Sequence, residues 1–302
     1  MLKKNKRVIL IGGPTASGKT ELAIQLALHY NTVIFNADSR QFYKEMSIGT
    51  AVPSKEELAS VPHYFIQSHP VTEPLSAADY EEEALAKLEE CFLTQDTVII
   101  CGGSGLYLQA LATGLDPLPP ADPEYREKLE EILKKDGVDT LAQRLKLIDP
   151  EKAAGMDLKN PRRVIRALEI LHAGPVAIDQ STKKERNFKV ISLSLNLDRE
   201  VLYQRIDARV DKMMESGLLE EVKNLLPWRS SPALQTVGYR ELFDHLDGIY
   251  SLEEAVEKIK QHTRNYAKRQ LTWFRNKGEY QEVRTYEEAL AMIEADFKSQ
   301  EV

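Results

Sequence analysis

The chain has 302 residues, enough for one large domain or two modest ones with a hydrophobic core of their own. Hydrophobic residues make up 42% and charged residues 29%, an ordinary globular balance, and there is no apolar run of about 18 residues to span a membrane. Net charge is −7, and the only cysteines, Cys91 and Cys101, suit neither a disulfide framework nor a zinc site, so a cytoplasmic location is expected; separately, the chain is expected to be a monomer.

Val8-Ile9-Leu10-Ile11 is a short apolar run ending in glycine and reads as a buried strand. Leu22, Ala23, Leu26 and Ala27 repeat at helical spacing behind Gly18. Val33-Ile34-Phe35 is a second strand, ending at Asp38-Ser39. Ser76 with Asp79 forms a capping box for a helix running to about Phe92. Val98–Cys101 is another buried strand, followed by Gly102-Gly103-Ser104-Gly105. Strands alternating with helices predict an α/β fold, a parallel sheet flanked by helices.

Pro117, Pro119, Pro120 and Pro123 then crowd a short stretch that reads as a boundary. Helical patterns follow at about 124–135, 140–148 and 161–172, the last stopped by Gly174-Pro175. Ile191, Leu193, Leu195 and Leu197 alternate with polar residues, so a strand resumes. The organisation expected is a core of residues 1–115 and 189–302 with a helical insertion at 116–188. Ser251 with Glu254 opens a long helix, and Thr285 with Glu288 opens the last one. No internal repeat is present.

Gly13-Pro14-Thr15-Ala16-Ser17-Gly18-Lys19-Thr20 fits the phosphate-loop pattern G-x-x-x-x-G-K-[ST], between a strand and a helix as that motif requires. Backbone N–H groups of such a loop cradle phosphate oxygens, Lys19 adds a full charge, and the Thr20 hydroxyl is a Mg²⁺ ligand. The motif specifies a diphosphate or triphosphate, not a nucleotide. The strand Val98–Cys101 ends in Cys-Gly-Gly rather than the Asp an ATPase would carry, and no Asn-Lys-x-Asp base-reading motif exists. The Asp that ends a strand is Asp38, at the sheet edge where ligands bind in such folds. From local pattern it is equally a Mg²⁺ ligand or general base, and a cap of the next turn.

Charge is segregated. From Lys258 to Lys277 there are seven cations and no Asp or Glu, with Tyr266, Trp273 and Phe274 interleaved. Lys268, Thr272 and Arg275 share a face, and Tyr266, Gln270 and Trp273 lie near it. Cations and aromatics on one helix suit RNA phosphates and bases. Taken alone, a solvated basic face with Trp273 and Phe274 in the core is the better reading. Arg162 with Arg166, and Arg205 with Arg209, stand one turn apart, as phosphoryl clamps or as surface ion pairs. Gln235–Arg240 is a turn into a helix, and read alone Tyr239 belongs to the core. The six histidines show no metal spacing.

Together these motifs carry a resemblance. GPTASGKT at 13–20, DSRQ at 38–41 followed by FYKEMSIGTA, GGSGLY at 102–107, LPPADP at 118–123, PRRVIRALE at 161–169, VGYRE at 237–241 and AKRQLTWFR at 267–275 occur in this order. Over about residues 7–277 the chain resembles the bacterial tRNA dimethylallyltransferase (tRNA isopentenyltransferase) family, and the combination is specific where each piece is not. It departs in having Asp157-Leu158-Lys159-Asn160 where a His-Pro-Asn-Asp run is common, and Ser104 where Thr is usual. The resemblance implies a P-loop core and transfer of a five-carbon allylic group from dimethylallyl diphosphate to N6 of the adenosine 3′-adjacent to the anticodon (position 37). Its acceptors are tRNAs reading codons that begin with U. It implies that Gly13–Thr20 hold the diphosphate, with Thr15 on the bridging oxygen and Thr20 on Mg²⁺, and that Asp38 is the base. It also implies anticodon stem-loop contacts for Asp38, Ser39, Arg40, Gln41, Ser104, Arg126, Arg162, Arg163, Arg166, Gln235, Gly238, Tyr239, Arg240, Lys268, Arg269, Gln270, Thr272, Trp273 and Arg275.

Three other functions compete. A P-loop small-molecule or nucleotide kinase would use Arg205 and Arg209 as clamps and leave the basic helix idle. A noncatalytic RNA-binding protein would use a nucleotide only as a switch. Transfer to free adenine nucleotides would leave the insertion without a substrate of matching size.

Overall fold

The computed structural model describes residues 6–116, 118–119, 122–174, 185–277 and 280–299. Pro117, Pro120 and Pro175, boundary and stop signals in the sequence, lie outside the described residues. Six parallel strands form one sheet: β1 (Arg7–Gly12), β2 (Ile34–Asn36), β3 (His63–Tyr64), β4 (Thr97–Cys101), β5 (Lys189–Leu195) and β6 (Gln281–Val283). Their order is β3-β2-β4-β1-β5-β6, with Ile9 of β1 opposite Ile99 of β4 and Ile191 of β5.

The first half of the chain supplies α1 (Lys19–His29), α2 (Lys55–Ser60), α3 (Ala77–Cys91) and α4 (Gly105–Thr113). Side chains alternate across a strand, so the apolar run of β1 feeds two cores at once. Val8 and Leu10 join Val98, Ile100 and the buried residues of α3 and α4 on one face. Ile9 and Ile11 join Ile99, Ile191 and the Leu22–Ala27 stripe of α1 on the other. Ser76 and Asp79 form the expected capping box on α3.

The chain divides into two compact units, residues 115–184 and the remainder. The first is a helical unit of α5 (Pro123–Asp136), α6 (Val138–Ile148), α7 (Pro150–Ala154) and α8 (Pro161–Ala173). It has its own small core, in which Leu129, Leu141, Leu145, Val164 and Leu168 are fully or almost fully buried. Asp122, Asp149 and Asn160 cap its helices, each followed by a proline in the first turn.

After β5 come α9 (Arg199–Glu215), α10 (Leu218–Asn224), α11 (Tyr239–Leu246), α12 (Leu252–Asn276) and α13 (Tyr286–Ser299). The strand expected to run through Leu197 stops at Leu195, because Leu197 packs on Leu202 and Ile206 while Asp198 caps α9. β6 carries Gln281 and Glu282, which leave it no apolar pattern, and it pairs with β5 at the edge of the sheet. Ala289 and Ile293 of α13 complete the face begun by α1.

Arg186 and Phe188 belong to the sheet unit. Phe188 packs in its core, and the Arg186 guanidinium binds Glu81 at 2.9 Å and the carbonyls of Ala110 and Leu111. Both side chains of the pair are under a tenth exposed. Truncating one partner strands a buried charge, so Arg186→Ala is expected to cost about 3–5 kcal/mol in urea denaturation, and a loss below about 1 kcal/mol would remove the pair from the fold's main supports.

Candidate active site

Residues 13–18 wrap from β1 into the N-terminus of α1, where the first-turn N–H groups and the helix dipole favour an anion. Lys19 is half-buried at the base of this loop and its ammonium donates to the Pro14 carbonyl. Burial pushes its pKa down to about 8, against the opposing pull of Asp38. Ser17 Oγ is buried with no hydrogen-bond partner, a polar atom that a phosphate oxygen would satisfy.

Asp38 emerges from the end of β2. Asn36 fixes it by accepting its N–H on Oδ1 (3.1 Å) and donating to its carbonyl (3.2 Å). The carboxylate accepts the Arg40 N–H on Oδ1 at 3.0 Å. Ser104 Oγ accepts the Ser39 N–H (2.9 Å) and donates to Ser39 Oγ (3.0 Å), which ties the segment to the glycine loop after β4. The hydroxyl kept at position 104 therefore has a structural partner.

The long helix α12 closes the arrangement. Gln270 accepts the Thr15 N–H on Oε1 and donates through Nε2 to the Gly103 carbonyl, both at 2.9 Å. A Cβ at Gly103 would lie 2.4 Å from Gln270 Nε2, and one at Gly105 would lie 2.3 Å from the Trp273 ring. Phe274 enters the core with Val8 and Leu10. Lys268, Arg269, Thr272 and Arg275 remain exposed on the other side of the helix. The two sequence readings of this helix thus apply to opposite faces of it.

These segments enclose a cavity of about 770 Å³. Its lining joins the phosphate loop from Thr15 to Thr20 with Asp38, Gln41, Gly103 and Arg209. Burial lowers the Arg209 pKa while Asp38 holds it up. No group of three or more His, Cys, Asp or Glu side chains is placed to hold a metal among the described residues. The Thr20 hydroxyl and Asp38 carboxylate do share the cavity, and hard oxygens of this kind fit Mg²⁺ whose shell is completed by substrate phosphates and water.

The sequence model of the family described as IPP transferase matches residues 41–277. A tRNA dimethylallyltransferase of Cytophaga hutchinsonii is 47% identical over 94% of this chain and 97% of its own length. That of Christiangramia forsetii is 50% identical over 90% and 91%. The crystal structure of the full-length tRNA isopentenylpyrophosphate transferase of Bacillus halodurans aligns with a TM-score of 0.70 at 36% identity, covering 98% of this chain and 96% of that one. The chain belongs to the IPP transferase family. It is a prenyl transferase, and the kinase alternative is not favoured. A eukaryotic dimethylallyltransferase described as acting on tRNA also aligns, with a TM-score of 0.68 at 29% identity over 89% of this chain and 70% of that one.

In this IPP transferase the residues expected at the RNA fall into three groups. Arg40 binds the carbonyls of Pro232 and Ala233 at 3.1 and 2.9 Å, which brings the Asp38 segment beside Gln235. Gln235 itself donates to the Arg229 carbonyl. Arg240 is exposed, whereas Gly238 and Tyr239 are buried. Tyr239 is fully buried because its hydroxyl donates to Glu221, so its place is in the core. Gln270 is likewise buried by its two bonds. In the helical unit, Arg126 and Arg166 both bind the buried Glu169 at 3.3 Å, and Arg166 also binds the Pro119 carbonyl. Arg162 and Arg163 are exposed on the first turn of α8.

Some residues escaped the sequence reading. Asn36 positions Asp38, and Glu241 accepts the Gly238 N–H (2.8 Å) and binds His262 Nδ1 (2.5 Å). Glu241 stands three residues after Gly238, a capping spacing that was visible, whereas nothing local marks Asn36. Arg209, in the sequence a phosphoryl clamp or a surface ion pair, lines the cavity beside the phosphate loop.

The Lys19 shift has a measurable sign. With its folded pKa depressed to about 8, Lys19 loses its proton in the folded state before the unfolded chain does. An anionic ligand restores it. Inorganic diphosphate is therefore expected to bind with proton uptake between about pH 8 and 9 and to weaken as pH rises. Calorimetry in buffers of different ionisation enthalpy reads the uptake, and Lys19→Met should remove it; equal uptake in that variant would assign the proton elsewhere.

Proposed function

We propose that this prenyl transferase moves a dimethylallyl group from dimethylallyl diphosphate to N6 of adenosine 37, 3′-adjacent to the anticodon, in tRNAs that read codons beginning with U. The observation that carries this reading is the single cavity that joins a phosphate loop to Asp38. A leaving diphosphate and a proton acceptor are the two things an allylic transfer to an amine requires.

The bond from the allylic C1 to the diphosphate oxygen breaks, and a bond from C1 to N6 forms. The backbone N–H groups of Gly13, Ala16 and Gly18 and the Lys19 ammonium stabilise the charge that develops on the diphosphate. Thr15 supports the bridging oxygen. Arg209 lines the same cavity and adds positive charge, while Arg205 lies by Gly18. Mg²⁺ held by the Thr20 hydroxyl would neutralise diphosphate charge. The N6 proton passes to the Asp38 carboxylate, which Asn36 and the Arg40 N–H keep in place. The diphosphate leaves with its electron pair, and N6-(dimethylallyl)adenosine remains.

Adenine must leave its stack to reach the cavity. Ser39, Gln41 and Ser104 then line the flipped base, and Gln235 and Arg240 take up RNA beside it. The exposed stripe Lys268, Arg269, Thr272 and Arg275, with Trp273 beside it, tracks the anticodon-loop backbone. Arg162 and Arg163 of the helical unit take the stem, while Arg126 and Arg166 brace that unit through Glu169. The enzyme works as a cytoplasmic monomer.

Incubating the protein with Mg²⁺, dimethylallyl diphosphate and unmodified tRNA, then digesting to nucleosides, should give a mass-spectrometric N6-(dimethylallyl)adenosine peak that needs both donor and protein. Its absence beside an active control enzyme would overturn the reading. Asp38→Asn should lower kcat by about a hundredfold or more with tRNA affinity preserved, and normal turnover would remove Asp38 as the base. Arg269→Ala should weaken tRNA binding and lower the slope of log K against log salt by about 1, and an unchanged slope would take α12 off the RNA.

A further inference from the structure

The segment from Ser47 to Val52 forms one wall of the cavity, and two side chains outside the phosphate site hold its backbone. Glu221 of α10 accepts the Ser47 and Ile48 N–H groups on Oε2 at 2.9 and 2.7 Å. Its Oε1 accepts the Gly49 N–H at 3.0 Å and the Tyr239 hydroxyl at 2.7 Å. Gln41 donates through Nε2 to the carbonyls of Thr50 (3.1 Å) and Ala51 (2.9 Å). Successive peptide groups of a loop that lacks a ladder of its own are thus satisfied by one carboxylate and one carboxamide.

The fit against Tyr239 is close. A Cβ on Gly49 would stand 2.7 Å from the Tyr239 ring, so the wall rests directly on that ring. Burial and the Glu221 carboxylate push the Tyr239 phenol well above its usual pKa, which keeps it a donor. Glu221, Gly49 and Tyr239 do not line the cavity themselves. What the wall presents is Ile48 and Val52, which with Ile34, Leu58, Ile66 and Met213 supply the large apolar side chains of a cavity whose other end is the phosphate loop.

We infer that the wall at 47–52 receives the five-carbon chain of the donor, and that Glu221 is the positioning residue that sets its depth and so selects the length of the allylic chain. The inference rests on the donor assigned above. A five-carbon chain has no polar atom with which to be recognised, so discrimination against a longer one must come from where an apolar wall stands. Each methylene misfitted there is worth roughly ten- to two-hundredfold in kcat/KM. Glu221 touches neither donor nor RNA, and acts by fixing three N–H groups of that wall.

The test compares kcat/KM for dimethylallyl diphosphate and for geranyl diphosphate, with the same unmodified tRNA, in the wild type, Glu221→Gln and Gly49→Ala. The first variant puts a donor where N–H groups need an acceptor, and the second pushes the wall off Tyr239. Each is expected to cut the preference for the five-carbon donor by about tenfold, with the KM for tRNA within about twofold, and the double variant to do little more than the worse single one. If both variants lose rate equally on the two donors, or the loss appears in the KM for tRNA, the inference is overturned. Should Glu221→Gln fail to fold, as its melting curve would show, Gly49→Ala alone decides. A wild-type enzyme that transfers neither chain to tRNA would overturn the donor assignment itself, and this inference with it.

Discussion

The carboxamide of Gln270 is the contact on which the rest of the site depends. It accepts from the phosphate loop at Thr15 and donates to the glycine loop at Gly103, so one side chain on α12 fixes the ends of β1 and β4 relative to each other. An amide suits this place because it offers an acceptor and a donor in one plane, where a carboxylate or an ammonium offers only one kind. The bridge requires that the helix come close to the sheet edge, and glycine at 103 and 105 gives Gln270 and Trp273 that room. With α12 seated, its opposite face is left carrying Lys268, Arg269 and Arg275 in solvent. The same helix therefore braces two loops of the cavity through Gln270 and carries a charged outer face.

Charge in the cavity is arranged for an anion. Lys19 and Arg209 are both held below their usual pKa by burial, and Asp38 partly offsets the effect on each. Two half-buried cations near one carboxylate are an uncomfortable set when taken alone. They become a favourable one around a diphosphate, whose oxygens would also satisfy the orphaned Ser17 hydroxyl. An acidic protein can in this way contain a strongly cationic site, because the excess acid lies on helices such as α3, remote in sequence from the phosphate loop.

Much of this was legible in the sequence wherever the physics is local. The phosphate loop is eight contiguous residues whose strand and helix follow from their own apolar spacing. The Ser76–Asp79 and Ser251–Glu254 capping boxes close over three residues and were read correctly. The alternating burial of β1 follows from a two-residue period. By contrast, β6 is three residues with two polar side chains and exists only because β5 offers it an edge. The arginines show the same limit: spacing placed Arg126 and Arg166 among the cations, but not their shared engagement of Glu169.

By itself, then, the sequence determined the kind of chemistry: a phosphate loop, a strand-end Asp, a basic aromatic helix, and the family that carries them in this order. Tertiary structure alone decided which of these groups meet and which side chains serve only to hold others. Gln270 reaches Thr15 across 255 positions of chain, Glu221 reaches Ser47 across 174, and Arg40 reaches Ala233 across 193. A side chain's role as acceptor, brace or substrate contact depends on what stands within about 3 Å of it. Where the partner lies hundreds of residues away, no periodicity or motif encodes that distance, and only the packed sheet with its helices sets it.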